Sequence, residues 1–358
     1  MTKRLSSGMA QRVALERALA PGPDPPGRGD ETLTLALRTI VLAGPSGRIV
    51  GDVTPDPPRP GDQTAPDDRL EAPPLLSFSQ THGKGRGCIR GFYKTRCATA
   101  DQLFGGRWAI NVVSGCFAGE YEALGLPWLP HDQRYKRSRE FIEVIKGIWI
   151  QDNFNYDGEF YKAHEFTLKP KPLQKPHPEI FKGGNSRAAQ ENAGTISAWY
   201  FMIGNTPEGH RQQIENVQAI AAANGRRMKF GVDAFIIVRD TEEEAQAVLE
   251  AIVDQADPEA VNAFGGAVKK AGQASPEGQG MWSNSSVKDL VQYNDGFKTN
   301  LIGTPRQVAE RIVALKDIGV DLVLSAFLHF QEDVAYFGEH VLPLVRELEE
   351  ARGRAKAA

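Results

Sequence analysis

The chain has 358 residues, 41% of them hydrophobic and 24% charged, with a net charge of −3. That is the composition of a globular protein, and it gives no electrostatic reason to expect a nucleic acid or an anionic membrane surface as partner. No apolar run approaches the ~20 residues that span a bilayer, and no signal-peptide core follows Lys3 and Arg4. Cys88, Cys97 and Cys116 lack metal spacing and cannot all pair, so a reduced, cytoplasmic compartment is expected.

The chain opens on an amphipathic stretch, "LSSGMAQRVALERALA" (5–20). It resembles the signature loop and helix of ABC-transporter ATPases, with Ser7 in place of a signature glycine. An ATPase also needs a GxxxxGK[ST] loop to cradle phosphate, and none occurs. Residues 21–96 are rich in Pro, Gly, Asp and Arg, as in "PGPDPPGRGDE" and "THGKGRGCIRG". Only "TLTLALRTIVLAG" offers apolar residues to bury, so residues 1–100 are expected to form an atypical, loosely packed segment. Residues 101–350 read as the main domain and 351–358 as a tail.

From residue 100 the pattern becomes regular. "RWAINVV" predicts a strand ending at Ser114-Gly115. "RYKRSREFIEVIKGIW" places Phe141, Val144, Ile145, Ile148 and Trp149 on one helix face. "DNFNYDGEFYKA" predicts a hairpin turning at Asp157-Gly158. A strand "PEIFKGG" leads into a helix ending near Gly194, and "AWYFMIG" into a helix capped by Thr206-Pro207 and ending at Gly225. "MKFGVDAFIIVRD" reads as one longer strand, followed by a capping box from Thr241 to Glu244. Thr304-Pro305 starts a helix with Val308, Ile312 and Leu315 on one face; "VDLVLSAFLHF" reads as a buried strand and "EDVAYFGEHVLPLVRELEEA" as the closing helix. This alternation predicts parallel strands with crossover helices, an α/β fold with five strand–helix units where a closed (β/α)₈ barrel has eight.

Ligands in such sheets bind at the carboxyl ends of the strands. Gly183-Gly184-Asn185-Ser186 joins a strand directly to a helix, and the free amides there suit a phosphate. A plain tight turn with Ser186 as cap reads equally well. Asn111, near the end of its strand, suits either a polar heterocycle or a structural hydrogen bond. His131, Arg134 and Tyr135 open the following helix at the same rim, whereas His164 and His210 read as surface residues. With no metal-binding cluster and no GxSxG elbow, the residues suggest a phosphate-bearing cofactor rather than a protein nucleophile.

The strings "GRWAINVVSG", "HDQRYKRSREFIEVIKGIW", "LKPKPLQKPHPEIFKGGNS", "QYNDGFKTNLIGTP" and "DLVLSAFLHFQED" carry a resemblance over residues ~102–349. The chain resembles the luciferase-like flavin-dependent monooxygenases, and among them the branch that oxidises sulfones. The resemblance implies a (β/α)₈ TIM barrel, incomplete here, that uses reduced FMN from a separate flavin reductase. It implies O2 as co-substrate and a small organosulfur substrate whose C–S bond is cleaved. The missing units would leave a sheet edge and apolar surface open, so a homo-oligomer is expected. Carried over by position, Asn111 and Glu120 would contact the flavin region. Arg134 and Tyr135 would lie against the cofactor, and Gly184, Asn185 and Ser186 would hold its phosphate; no catalytic residue is assigned. Relatives acting on alkanesulfonates have a basic residue and a histidine where this chain has Asp233 and Phe235, which favours an uncharged substrate. Alkanesulfonate oxygenases and deazaflavin-dependent barrel oxidoreductases remain as alternatives, and an ATP-binding remnant as a weaker one.

Overall fold

The computed structural model describes residues 97–115, 118–123, 127–278, 280–292 and 294–357. The ATPase-like stretch, "TLTLALRTIVLAG", Cys88 and Cys116 lie outside these residues. A helical turn at 97–103 precedes strand β1 (Ala109–Val112), helix α1 (Ala118–Ala123) and helix α2 (His131–Ile150). A hairpin of β2 (Phe154–Asp157) and β3 (Lys162–Phe166) follows. Then come β4 (Glu179–Gly183), α3 (Arg187–Ile196), β5 (Trp199–Met202), α4 (Pro207–Ala223) and β6 (Lys229–Phe235). After β6 stand β7 (Ile237–Val238), α5 (Glu242–Asp254), α6 (Pro258–Gln273), α7 (Val287–Val291) and a 3₁₀ turn, Gly296–Thr299. The chain continues with β8 (Ile302–Gly303), α8 (Pro305–Asp317), β9 (Leu322–Ala326), α9 (Phe330–Tyr336), a π turn (Phe337–Val341) and α10 (Leu342–Ala357). That last helix runs through residues read from the sequence as a tail.

Five strands pair in the order β1-β4-β5-β6-β9, every pair parallel. Among the described residues this is an incomplete (β/α)₈ barrel with five of its eight strand–helix units. Parallel neighbours demand crossovers, and the helices supply them on one face of the sheet. Under α2, Val144, Ile145, Ile148 and Trp149 of the predicted face pack against Val112 and Ile180; Ile142, not named in that face, is buried with them, and Phe141 is only partly buried. Under α4, α8 and α10 the larger core joins Tyr200, Met202, Phe230, Val232 and Ala234 to Ile214, Val217, Val308 and Val345. Each fully buried aliphatic side chain stabilises the fold by about 1.5–3 kcal/mol. Among the described residues no helix is long and apolar enough to cross a membrane.

Local signals set most helix starts. Thr206, Thr241 and Thr304 each accept a hydrogen bond from a first-turn amide, and Thr241 with Glu244 closes the predicted capping box. The predicted hairpin turns at Gly158, whose amide donates to the Tyr161 carbonyl at 2.9 Å, and the Glu140 carboxylate on α2 accepts from the amides of Glu159, Phe160 and Tyr161.

Two strand readings need correction. "MKFGVDAFIIVRD" is two strands, because the chain changes partner at Ile236: Phe235 pairs with Ala326 on β9, whereas Ile237 pairs with Ile302 on β8. β9 is half-exposed rather than buried, and Leu324 is 51% exposed, since among the described residues β9 is an edge strand with β6 as its one neighbour.

Candidate functional site

Alternation along the strands separates a helix-covered face from a concave face. Ile180 and Lys182 of β4 point under the helices, so Phe181 lies on the concave face, stacked on Trp199 with ring centroids 4.7 Å apart and meeting Phe201 edge-on at 6.4 Å. Asn111 is in register with Phe181 and is exposed. At the opposite ends of the strands, Glu179 accepts from the Trp199 indole at 2.6 Å and pairs with Lys229 at 2.7 Å.

The turn from β4 to α3 forms the centre of the carboxyl rim. Gly184 has φ +120°, a conformation open to glycine, and it is buried. A Cβ there would stand 2.8 Å from both Ala189 Cβ and the Tyr135 hydroxyl. Its carbonyl accepts from the buried Tyr200 hydroxyl at 2.8 Å. Ser186 is buried as the N-cap of α3, where its Oγ accepts from the Ala189 amide at 3.4 Å. The Asn185 carbonyl accepts from Gln190 at 3.0 Å. Ser186 is the cap that one of the two sequence readings named, and the next amide, that of Arg187, donates to the Glu277 carboxylate at 2.8 Å.

The first turn of α2 lies against this rim. Arg134 is buried; its guanidinium donates to the Gly115 carbonyl and stands over the Trp128 ring at 4.1 Å. The Tyr135 ring lies 4.8 Å from that of His131. Tyr135, Gly184 and Ser186 are thus brought together, Arg134 fastens the end of the β1 segment, and Asn111 stands apart on the concave face. Glu120 belongs to α1, and its side chain lies outside what the structure describes. A cavity of about 510 Å³ opens between the amino-terminal turns of α2 and α3, lined by Tyr135, Lys136, Arg139, Arg187, Asn192 and Glu277.

Sequence reasoning missed the residue that ties these parts together. Lys182 is fully buried, and its Nζ donates to Ser114 Oγ at 2.8 Å and the Val112 carbonyl at 3.1 Å. Ser114 in turn meets Ser138 of α2 at 2.9 Å, and Asn192 of α3 donates to the Tyr135 carbonyl at 3.0 Å. The Lys182 ammonium also stands 5.2 Å from the Tyr135 ring centre. Burial pushes its pKa down to about 7. The signal was the alternation Ile180-Lys182, which puts a lysine on the apolar side of its strand. His210, read as a surface residue, is fully buried: its Nε2 bonds the Ile203 carbonyl at 3.2 Å, and burial lowers its pKa to about 4.

Comparison with known proteins places these observations. The family described as luciferase-like monooxygenase matches residues 95–322. An FMNH2-dependent dimethylsulfone monooxygenase of Pseudomonas putida is 66% identical over 260 residues, which are 73% of this chain and 72% of that protein. Its namesake in Pseudomonas fluorescens (strain Pf0-1) is 62% identical over 261 residues, 73% of this chain and 71% of that one. Among solved structures, a riboflavin lyase with modified FMN and riboflavin superimposes with a TM-score of 0.63 at 22% identity, over 73% of this chain and 68% of that one.

Proposed function

The chain belongs to the luciferase-like monooxygenase family, and from that premise we propose that it is an FMNH2-dependent monooxygenase that cleaves a C–S bond of dimethyl sulfone or a close analogue with O2. The observation that carries the reading is the 66% identity to a dimethylsulfone monooxygenase over a stretch that includes the rim described above.

The residues at the rim fit a phosphate-bearing flavin. A Cβ at Gly184 would run into Ala189 and the Tyr135 hydroxyl, so glycine lets the Tyr135 ring close on the turn that leads into α3. The first amide of α3 donates to the Glu277 carboxylate, and the adjoining cavity carries Lys136, Arg139 and Arg187 beside Asp132, Glu191 and Glu277, with Arg139 paired to Glu143 and Arg187 to Glu191. Gly184, Asn185, Ser186 and the α3 amides would hold the phosphate, with Arg134 and Tyr135 against the cofactor and Asn111 and Glu120 toward its ring system. Reduced FMN, when bound, supplies the electrons and the centre at which dioxygen is activated. The protein's share is to orient and to exclude water. Phe181, Trp199 and Phe201 give the concave face an apolar wall, and Lys182, Ser114 and Ser138 fix the turn of α2 that bears Arg134 and Tyr135.

A flavin reductase that releases FMNH2 would be the functional partner. A cytoplasmic location would fit that dependence, and the edges of β1 and β9, unpaired among the described residues, favour a homo-oligomer. The test is a reductase-coupled assay with FMN, following oxygen uptake and loss of dimethyl sulfone. Methanesulfonate and a deazaflavin serve as controls for the two rival readings. Consumption of dimethyl sulfone that requires reduced FMN is expected; activity on methanesulfonate alone, or with the deazaflavin alone, would overturn it.

A further inference from the structure

Building on the sulfone reading, we propose that Asp233 selects an uncharged sulfone over an anionic sulfonate by donating a hydrogen bond from its neutral carboxyl to a sulfone oxygen. The placement comes first. Phe230, Val232 and Ala234 of β6 pack into the core under the helices, so Gly231 and Asp233 lie on the concave face. Gly231 confirms the direction, since a Cβ there would meet Phe201 at 2.9 Å and Leu322 at 3.4 Å, both across the neighbouring strands. Asp233 is in register with Leu324 and stands two residues before the carboxyl end of β6, the end at which barrels bind their ligands.

The side chain is unusual for its setting. Asp233 is 3% exposed, and its buried Oδ2 has no hydrogen-bond partner among the described residues. Its main-chain carbonyl is already satisfied by the Thr299 hydroxyl at 2.7 Å, leaving the carboxyl as the polar group still to be matched. Charged groups on the elements packed around it are engaged elsewhere. Lys298 of the 3₁₀ turn pairs with Asp295 and Asp289, Lys229 at the far end of β6 pairs with Glu179, and Asp321 before β9 accepts from the Phe230 amide. β5 carries no charge. Burial alone therefore acts on the carboxyl and raises its pKa to about 7.

The chemistry then points to one class of substrate. An unpaired carboxylate in such a place is costly, whereas the protonated acid is a donor in search of an acceptor. A dialkyl sulfone offers two strong acceptor oxygens, no donor and no net charge. A sulfonate would bring a full negative charge to a position where no described cation is free to meet it, beside an acid that itself ionises near neutrality.

Difference infrared spectroscopy of wild type against Asp233→Asn tests the protonation without requiring turnover. A protonated-carboxyl C=O band is expected at pH 6, absent from the variant, fading as pH rises past 7 and shifting when dimethyl sulfone is added. Sulfone affinity, read by NMR titration on the FMN-loaded chain, should fall roughly tenfold in Asp233→Leu. Asp233→Asn, which keeps a donor, should hold it within about threefold. FMN affinity should be unchanged in both, and the wild-type loss of sulfone affinity between pH 6 and 8.5 should vanish in Asp233→Asn. No carboxyl band at pH 6, or a band unmoved by sulfone that demonstrably binds, overturns the assignment alone. A chain that shows the band, binds FMN and ignores dimethyl sulfone overturns the sulfone reading and this assignment with it.

Discussion

Replacing Lys182 by methionine keeps the length of the side chain and removes its ammonium, which makes it a direct probe of the network under the rim. Burial holds the Lys182 amine at about 7 against its ordinary 10.5. Between those values the unfolded chain carries a proton that the folded chain lacks, so wild-type stability rises with pH across the window and is lost as pH falls back toward 7. At about 1.4 kcal/mol per pH unit, the cost of folding with this lysine is about 4 kcal/mol at pH 7 and about 2 kcal/mol at pH 9. Methionine escapes that cost but gives up two hydrogen bonds, to Ser114 and to the Val112 carbonyl, worth about 1 kcal/mol each. Lys182→Met is therefore expected to be about 2 kcal/mol more stable than wild type at pH 7 and nearly equal to it at pH 9. Burial also shifts Lys146 to about 8 and Cys97 to about 11, but both chains share those groups and they cancel in the difference. Urea unfolding of the two proteins at pH 7, 8 and 9, followed by tryptophan fluorescence, measures the gap. A gap that does not close with pH, or a variant weaker at every pH, would refute the neutral, unpaired lysine. In flavin titrations the same variant should bind FMN less tightly, because the amine no longer fixes Ser114 against Ser138 and the first turn of α2.

Three further outcomes are expected. Glu277→Gln should tighten FMN binding roughly fivefold in a fluorescence titration, since a charged competitor leaves the Arg187 amide; weaker binding would make Glu277 a ligand instead. Gly184→Ala should lower stability by about 2–3 kcal/mol and reduce FMN affinity together, because φ +120° and the contacts with Ala189 and Tyr135 leave no room for a methyl group; an unchanged melting temperature would show that the turn relaxes. His210 is held neutral down to about 4 against an ordinary 6.5, so it costs the fold stability as pH drops through that window. His210→Gln should flatten the acid limb of a pH–melting curve, and parallel limbs would remove burial as the cause.

The parts of the fold legible in the sequence are those set by neighbours in the chain. Thr206-Pro207, Thr241 with Glu244, and Thr304-Pro305 announce their helices because a cap and its first turn lie within four residues. The same signal stands at Asp257-Pro258, which starts α6 with Asp257 accepting from the Glu259 and Ala260 amides. What stayed hidden depends on which strand lies alongside. Nothing local says that β6 leaves β9 at Ile236 for β8, or that the apolar run at 320–330 ends as a half-exposed edge. The rim shows the same division. The turn at Gly183–Ser186 is legible because a strand–glycine–helix junction has its own chemistry, and Ser186 caps the helix as such a junction requires. The Glu277 contact, ninety residues away in the chain, left no trace in either segment.

Lys182 and Asp233 extend that division to the chemistry. One lies on the helix face of β4 and the other on the concave face of β6, and each is a charged residue type held without an opposite charge. Both are pushed toward the neutral form by burial, the base downward and the acid upward, so both are poised near neutrality from opposite sides. The consequences differ because the partners differ. Lys182 spends its hydrogens on Ser114 and Val112, within the protein, and so acts on stability and on the position of Tyr135. Asp233 has an oxygen with no partner among the described residues, and so can act on a ligand. A buried polar group that is satisfied within the protein acts on the scaffold, whereas the carboxyl of Asp233, at the ligand end of a barrel strand, is the one we assign to the substrate. That distinction rests on where the hydrogen bonds go, which the strand alternation alone does not reveal.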